Sequence, residues 1–173
     1  MKLLFTSTIV AALFLVSCQQ PKTNPIDVAK AKIEIGHILD SIHAAAGTAN
    51  YDQYFSYYAD SAVFIGTDAT ENWQIDSFKT WAKPFFDRGK AWNFKSLEKH
   101  IYFSKTGDVA WFDELLSTQM KICRGSGVFQ IENGHWKLKH YVLSMTIPND
   151  NTKVVIDIKS PIEDSLLQII SSK

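Results

Sequence analysis

The chain has 173 residues, 46% of them apolar, and its 18 basic and 18 acidic side chains cancel. That length suffices for one domain with a sizeable core, and the balance excludes both a basic field able to hold nucleic acid and an acidic run seeking a basic partner. Five Trp and eleven Phe suit either a tightly packed interior or a cavity walled by rings.

The first residues read as an export signal. Met1-Lys2 leads into the apolar run LLFTSTIVAALFLVS, too short and too weakly flanked for a spanning helix. Leu15-Val16-Ser17-Cys18 resembles a bacterial lipobox, in which the cysteine is lipidated and becomes the new amino terminus. Residues 1–17 are therefore expected to be a lipoprotein signal peptide and 18–25 the lipidated Cys18 with its tether. The protein would be anchored in the bacterial envelope, facing the periplasm; an ordinary secretory signal cut nearby is the alternative. With Cys18 modified, Cys123 is the only thiol left. No intramolecular disulfide can then form, and Cys123 reads as a small buried hydrophobe.

Asn24-Pro25 offers a cap for a first helix, in which Val28, Ala31, Ile35, Ile38, Leu39, Ile42 and Ala45 recur at three and four until Gly47. His37 and His43 lie six apart on it, on different sides, so they make no metal pair and are expected at the surface. Asn50 with Gln53 resembles a capping box opening a short helix through Tyr51, Tyr54, Phe55, Tyr57 and Tyr58. Its tyrosines either fill the core or bring hydroxyls to a cavity. SAVFIG is a brief strand and TDATEN a loop. Trp73 to Arg88 is a third helix, which Pro84 should kink or end near Lys83.

From Ala91 the period becomes two. Trp92 and Phe94 share one parity, Leu97, Ile101 and Phe103 the other, so a bulge near Ser96 would keep both sets inward. DVAWFDELL is apolar on both parities, as a strand covered on both faces would be. GSGVFQIENGHWKLKHYVLSM is a hairpin about Asn133-Gly134, pairing Ile131 with Trp136, Phe129 with Leu138, Gly127 with His140 and Gly125 with Val142. A register placing Glu114 opposite Arg124 puts Trp111 and Asp113 opposite Gly127 and Gly125. Trp111, Asp113, Phe129, Leu138 and His140 then share the inner face, around a vacancy left by two glycines. A buried acid and imidazole there either satisfy one another or move a proton. Beyond Pro148 a polar stretch, an apolar Val154–Ile158 run and a short helix from Pro161 to Ile170 are expected. No nucleophile elbow, phosphate loop, zinc spacing or cofactor motif is found, so no metal and no cofactor are expected.

The order of elements is α+β, with helices over one face of a curved sheet. The strings DQYFSYYADSAVFIGTD, KPFFDRGKAW, GDVAWFDELL, RGSGVF and GHWKLKHYVLSMTIPND resemble the SnoaL-like branch of the nuclear transport factor 2-like superfamily. The resemblance implies a curved antiparallel sheet forming a cone-shaped half barrel with three helices on the concave side, spanning 26–149. It also implies a pocket at the open end and a homodimer through the outer sheet face, with 150–173 a tail packing on the domain as strand or helix. Relatives include polyketide cyclases, ketosteroid isomerases and dehydratases. The expected function is binding of a small apolar or aromatic molecule by Tyr54, Tyr58, Trp92 and Trp111. The alternatives are a lyase or isomerase using Asp113 and His140, and a protein-interaction domain with a closed cone. Val142 stands where some relatives carry a histidine, against a cyclase-like mechanism.

Overall fold

The computed structural model describes residues 26–172, so the expected signal peptide and the lipidated Cys18 lie outside the described residues, as does the Asn24-Pro25 cap. Helix α1, Val28–Gly47, begins at Asp27, whose carboxylate accepts from the Lys30 amide at 3.1 Å. Ala31, Ile35, Leu39, Ile42 and Ala46 form its buried stripe. Helix α2, Tyr51–Ser56, has the expected cap but only half of the box: Asn50 Oδ1 accepts from the Gln53 amide at 3.2 Å, whereas Gln53 Oε1 accepts from Asn50 Nδ2 at 3.1 Å and the Asn50 amide donates to the Ala45 carbonyl at 2.8 Å. It ends sooner than its aromatic spacing predicts, because Tyr58 already opens strand β1, Tyr58–Ile65. A three-residue strand β2, Asn72–Gln74, precedes helix α3, Ile75–Asp87, and takes Trp73 out of the helix. Pro84 neither ends α3 nor prevents its last turn.

Strands β3 (Lys95–Phe103), β4 (Val109–Thr118), β5 (Lys121–Glu132) and β6 (His135–Met145) follow. The sheet order is β2-β1-β6-β5-β4-β3. The sheet is mixed rather than wholly antiparallel, because β1 runs parallel to β6. No hairpin joins those two strands, so no tight turn dictates their sense. α1 packs on β3 and α3 on β1, closing the concave side over a core that holds Phe55, Phe78, Phe112 and Phe129. The expected bulge in β3 is present between Ser96 and Glu98, and it turns Leu97 out to solvent while Ile101 stays buried.

Helix α4, Thr152–Ser171, is a fourth helix and a single one, where the sequence suggests an apolar run and then a separate helix from Pro161. Pro161 lies within it. Val155 and Leu166 are half-buried, whereas Ile158 and Ile162 are exposed. Among the described residues no helix is long and apolar enough to cross a membrane.

The β5–β6 hairpin turns at Asn133 and Gly134, both at positive φ (51° and 80°), the mirror-image turn that strand twist favours. Ile131 pairs with Trp136 and Phe129 with Leu138, as expected. Beyond Leu138 the register departs. Val128 pairs with His140, which leaves Lys139 as an extra residue in β6. Every later side chain is thereby turned over. Gly127 faces Tyr141 and Gly125 faces Leu143, in place of His140 and Val142. The second correction is in β4, where Glu114 pairs with Gly125 and Leu115 with Arg124, one residue from the expected register. A side-chain period of two makes that slip exchange the faces. Ala110, Phe112, Glu114 and Leu116 are buried, while Trp111, Asp113 and Leu115 look outward, so β4 is covered on one face only within the chain.

Candidate functional site

The shift in β4 and the bulge in β6 remove the expected Asp113 and His140 site from the interior. Both residues stand on the convex face. Asp113 Oδ1 lies 3.1 Å from His100 Nδ1, and Glu98 Oε1 lies 3.0 Å from His100 Nε2. The Asp113 carboxylate holds the His100 imidazolium, raising its pKa above the usual histidine value. Trp111 is 46% exposed and stacks on Tyr102 with ring centroids 6.0 Å apart, so it cannot line an internal pocket. Nor is there a vacancy at the glycines. A Cβ added at Gly125 would lie 2.3 Å from the Tyr141 hydroxyl, and one at Gly127 would lie 2.2 Å from the His140 carbonyl oxygen. Cys123 is buried and Arg124 points to solvent, both as expected.

The interior holds a different group of polar side chains. Glu114 is 0% exposed on the concave face of β4. His43, on α1, brings Nε2 to 3.0 Å from each of its carboxyl oxygens. The Tyr141 hydroxyl donates to Oε1 at 3.1 Å. With Tyr141 as one donor and His43 Nε2 as the other, the buried carboxyl is the shared acceptor, and Nδ1 is the ring nitrogen left over. Burying Glu114 without these two donors would cost several kcal/mol, of the order of 3–5. Nearby, the Tyr54 and Tyr58 hydroxyls lie 2.9 Å apart. Burial pushes the Tyr54 and Tyr58 phenols well above their ordinary pKa. Burial and then the Glu114 carboxyl do the same to Tyr141, so all three remain hydrogen-bond donors.

These groups border a cavity of about 160 Å³ at the open end of the cone. His43, Tyr54, Tyr58 and Tyr141 lie on its inner wall, and Trp92 lines it too, so three of the four expected ligand-binding residues are there. Glu71 and Trp81 lie at its rim, where Trp81 is 40% exposed. The wall is made largely of rings in near-parallel planes. Phe78 is within 26° of Phe64, Trp73, Trp81 and Trp92, at centroid separations from 4.0 to 6.1 Å. At these separations the rings are stacked on one another and form one packed aromatic wall, against which a flat apolar molecule can lie.

Sequence reasoning placed His43 at the surface, yet it lies four residues from Leu39 and three from Ala46, both buried on α1. That spacing was the available signal. Glu114 had none as clear, because each parity of β4 carries one acid among apolar residues.

Residues 35–148 match the model of the SnoaL-like domain. No curated protein matches the chain. Among solved structures, an NTF2-like protein of unknown function from Pseudomonas putida KT2440 is 14% identical with a TM-score of 0.60, covering 71% of this chain and 92% of that one. A provisionally named dehydratase of the NTF2-like family from Streptomyces avermitilis is 14% identical with a TM-score of 0.57, covering 69% and 99%. The association domain of C. elegans CaMKII is 14% identical with a TM-score of 0.55, covering 68% and 97%. At such identities the likeness is one of fold.

Proposed function

Because the chain belongs to the SnoaL-like domain family, whose matched segment spans more than half of it, we propose that it binds a small, flat, largely apolar or aromatic molecule in the cone. The observation carrying this reading is the cavity of about 160 Å³ with stacked rings for a wall and a buried polar cluster on its inner side. A dry cavity of about 150 Å³ is known to hold a benzene-sized guest, so one ring with a short substituent fits. The test is titration of small aromatics against intrinsic Trp fluorescence, since Trp73, Trp81 and Trp92 all line the space. Saturable quenching that disappears in Tyr54→Trp, which fills the cavity, supports the reading; identical titrations for both proteins refute it.

A second reading has its own support in the His43, Glu114 and Tyr141 cluster. An imidazole backed by a buried carboxyl is the arrangement that takes up a proton from carbon or oxygen and returns it elsewhere, as a lyase or isomerase requires. The dehydratase name of one structural relative agrees with it. Enones and β-hydroxy ketones are the substrates to try, with His43→Gln as the control; turnover that survives that change would exclude His43 as the acid or base. The same proposal includes anchoring through lipid on Cys18 in the envelope, tested by membrane fractionation of Cys18→Ser. It also includes a homodimer through the convex face, where Tyr102 and Trp111 are exposed, in keeping with the association-domain relative.

A further inference from the structure

His43 is the one basic side chain on the cavity wall, and it is already bonded to Glu114. The cavity lining includes no Lys and no Arg, while Glu71 stands at the rim and Glu114 lies behind His43 and Tyr141 on the inner side. Glu71 is half-buried. It accepts from the Asp68 amide at 3.2 Å, and no Lys or Arg among the described residues forms an ion pair with it. Thr67 and Gln119, its polar companions at the opening, carry no charge. An anionic guest would thus meet a carboxylate at the opening, where no Lys or Arg stands to receive it, and a neutral guest would leave the rim acid unmatched.

The rings point the same way. Trp73 and Trp81 stack at 4.9 Å and 26°, and both border the space that Glu71 borders. Indole faces attract a cation placed within about 6 Å, and the attraction grows when water is excluded. Resting on the reading of the cone as a ligand site, we propose that its ligand is an organic ammonium, a protonated amine carried on a flat apolar body. The body lies in the cavity against the stacked rings, and the charged nitrogen stays at the opening beside Glu71 and the Trp73–Trp81 pair.

Three probes of one size and three charges test this: benzylammonium, benzyl alcohol and benzoate, titrated calorimetrically at low salt. The ammonium should bind about tenfold more tightly than the alcohol, from one carboxylate contact and one cation–π contact, with benzoate weakest. Glu71→Gln keeps an acceptor for the Asp68 amide but removes the charge. It should abolish most of the ammonium's advantage over the alcohol. Trp81→Leu, at an exposed position, should reduce the advantage again. An alcohol that binds as well as the ammonium, or an advantage that persists in Glu71→Gln, overturns the proposal and leaves the cavity reading standing. Failure of all three probes at millimolar concentration overturns both.

Discussion

Replacing Gly125 by Ala should disrupt the buried cluster from behind. The new Cβ would lie 2.3 Å from the Tyr141 hydroxyl oxygen, 2.9 Å from its Cζ and 3.0 Å from Glu114 Oε1. The hydroxyl must retreat by about 1 Å to reach ordinary contact, yet the ring is held between Phe64, at 5.6 Å, and Phe112, at 6.0 Å. Overpacking of this kind costs about 1–3 kcal/mol. The retreat also breaks the 3.1 Å bond to Glu114, a further loss of about 1–2 kcal/mol for a buried acceptor. We therefore expect a destabilisation of about 2–5 kcal/mol in urea unfolding, with an unchanged m-value. Tyr141→Phe removes the closest atom and that same hydrogen bond. When Tyr141→Phe is already present, the Ala substitution should cost at least about 1 kcal/mol less, by the logic of a double-mutant cycle. Cζ remains close, so the relief is partial. A Gly125→Ala protein within about 0.5 kcal/mol of the parent, or costs that simply add, would refute the placement of Tyr141 and with it the cluster.

Three other outcomes follow from the same geometry. His43→Ala should lower ligand affinity or turnover, whereas Asp113→Asn and His140→Ala, on the convex face, should leave both unchanged in the titrations above. Tyr54, Tyr58 and Tyr141 are held neutral in the fold and ionise freely once unfolded. Their contribution is complete below about pH 10 and lost above it, at up to about 4 kcal/mol per pH unit for three phenols; denaturant melts from pH 9 to 11 measure it, and the phenolate absorbance of these three should appear only on unfolding. Ending the chain at Asn149 removes α4, whose Val155 and Leu166 face the Gly66–Ala69 loop near the opening. The truncated protein should fold with a loss of only about 1–2 kcal/mol, and faster amide exchange should be confined to that loop.

Much of the architecture was legible because local chemistry is strong where it was used. Asn50 with Gln53 caps a helix, Asn133-Gly134 makes a mirror-image turn, and the parity change across Ser96 marks a bulge. The candidate site was less legible, for two reasons. The β4 register was chosen to pair Glu114 with Arg124, but an exposed ion pair is worth about 0–1 kcal/mol, less than burying Phe112 and Leu116 contributes. In β6 the inward residues change from Trp136 and Leu138 to Tyr141 and Leu143, a parity change like that in β3, where the pattern marks the bulge but misplaces Leu97. No glycine marks it, and the smooth turn register hid it. Tyr54, Tyr58 and Trp92 line the cavity whatever the register of β4 or β6, because they lie outside both strands.

The extra residue at Lys139 has a bearing on how chains of this architecture diversify. It decides which of two neighbouring ring side chains, imidazole or phenol, meets the buried carboxyl. Closing the bulge with Lys139 retained would leave the hairpin and its turn intact while exchanging the chemistry presented inside for that presented outside, whereas deleting Lys139 would keep both faces as they are. The set of side chains lining the cone is therefore one change of register away from another, without any substitution.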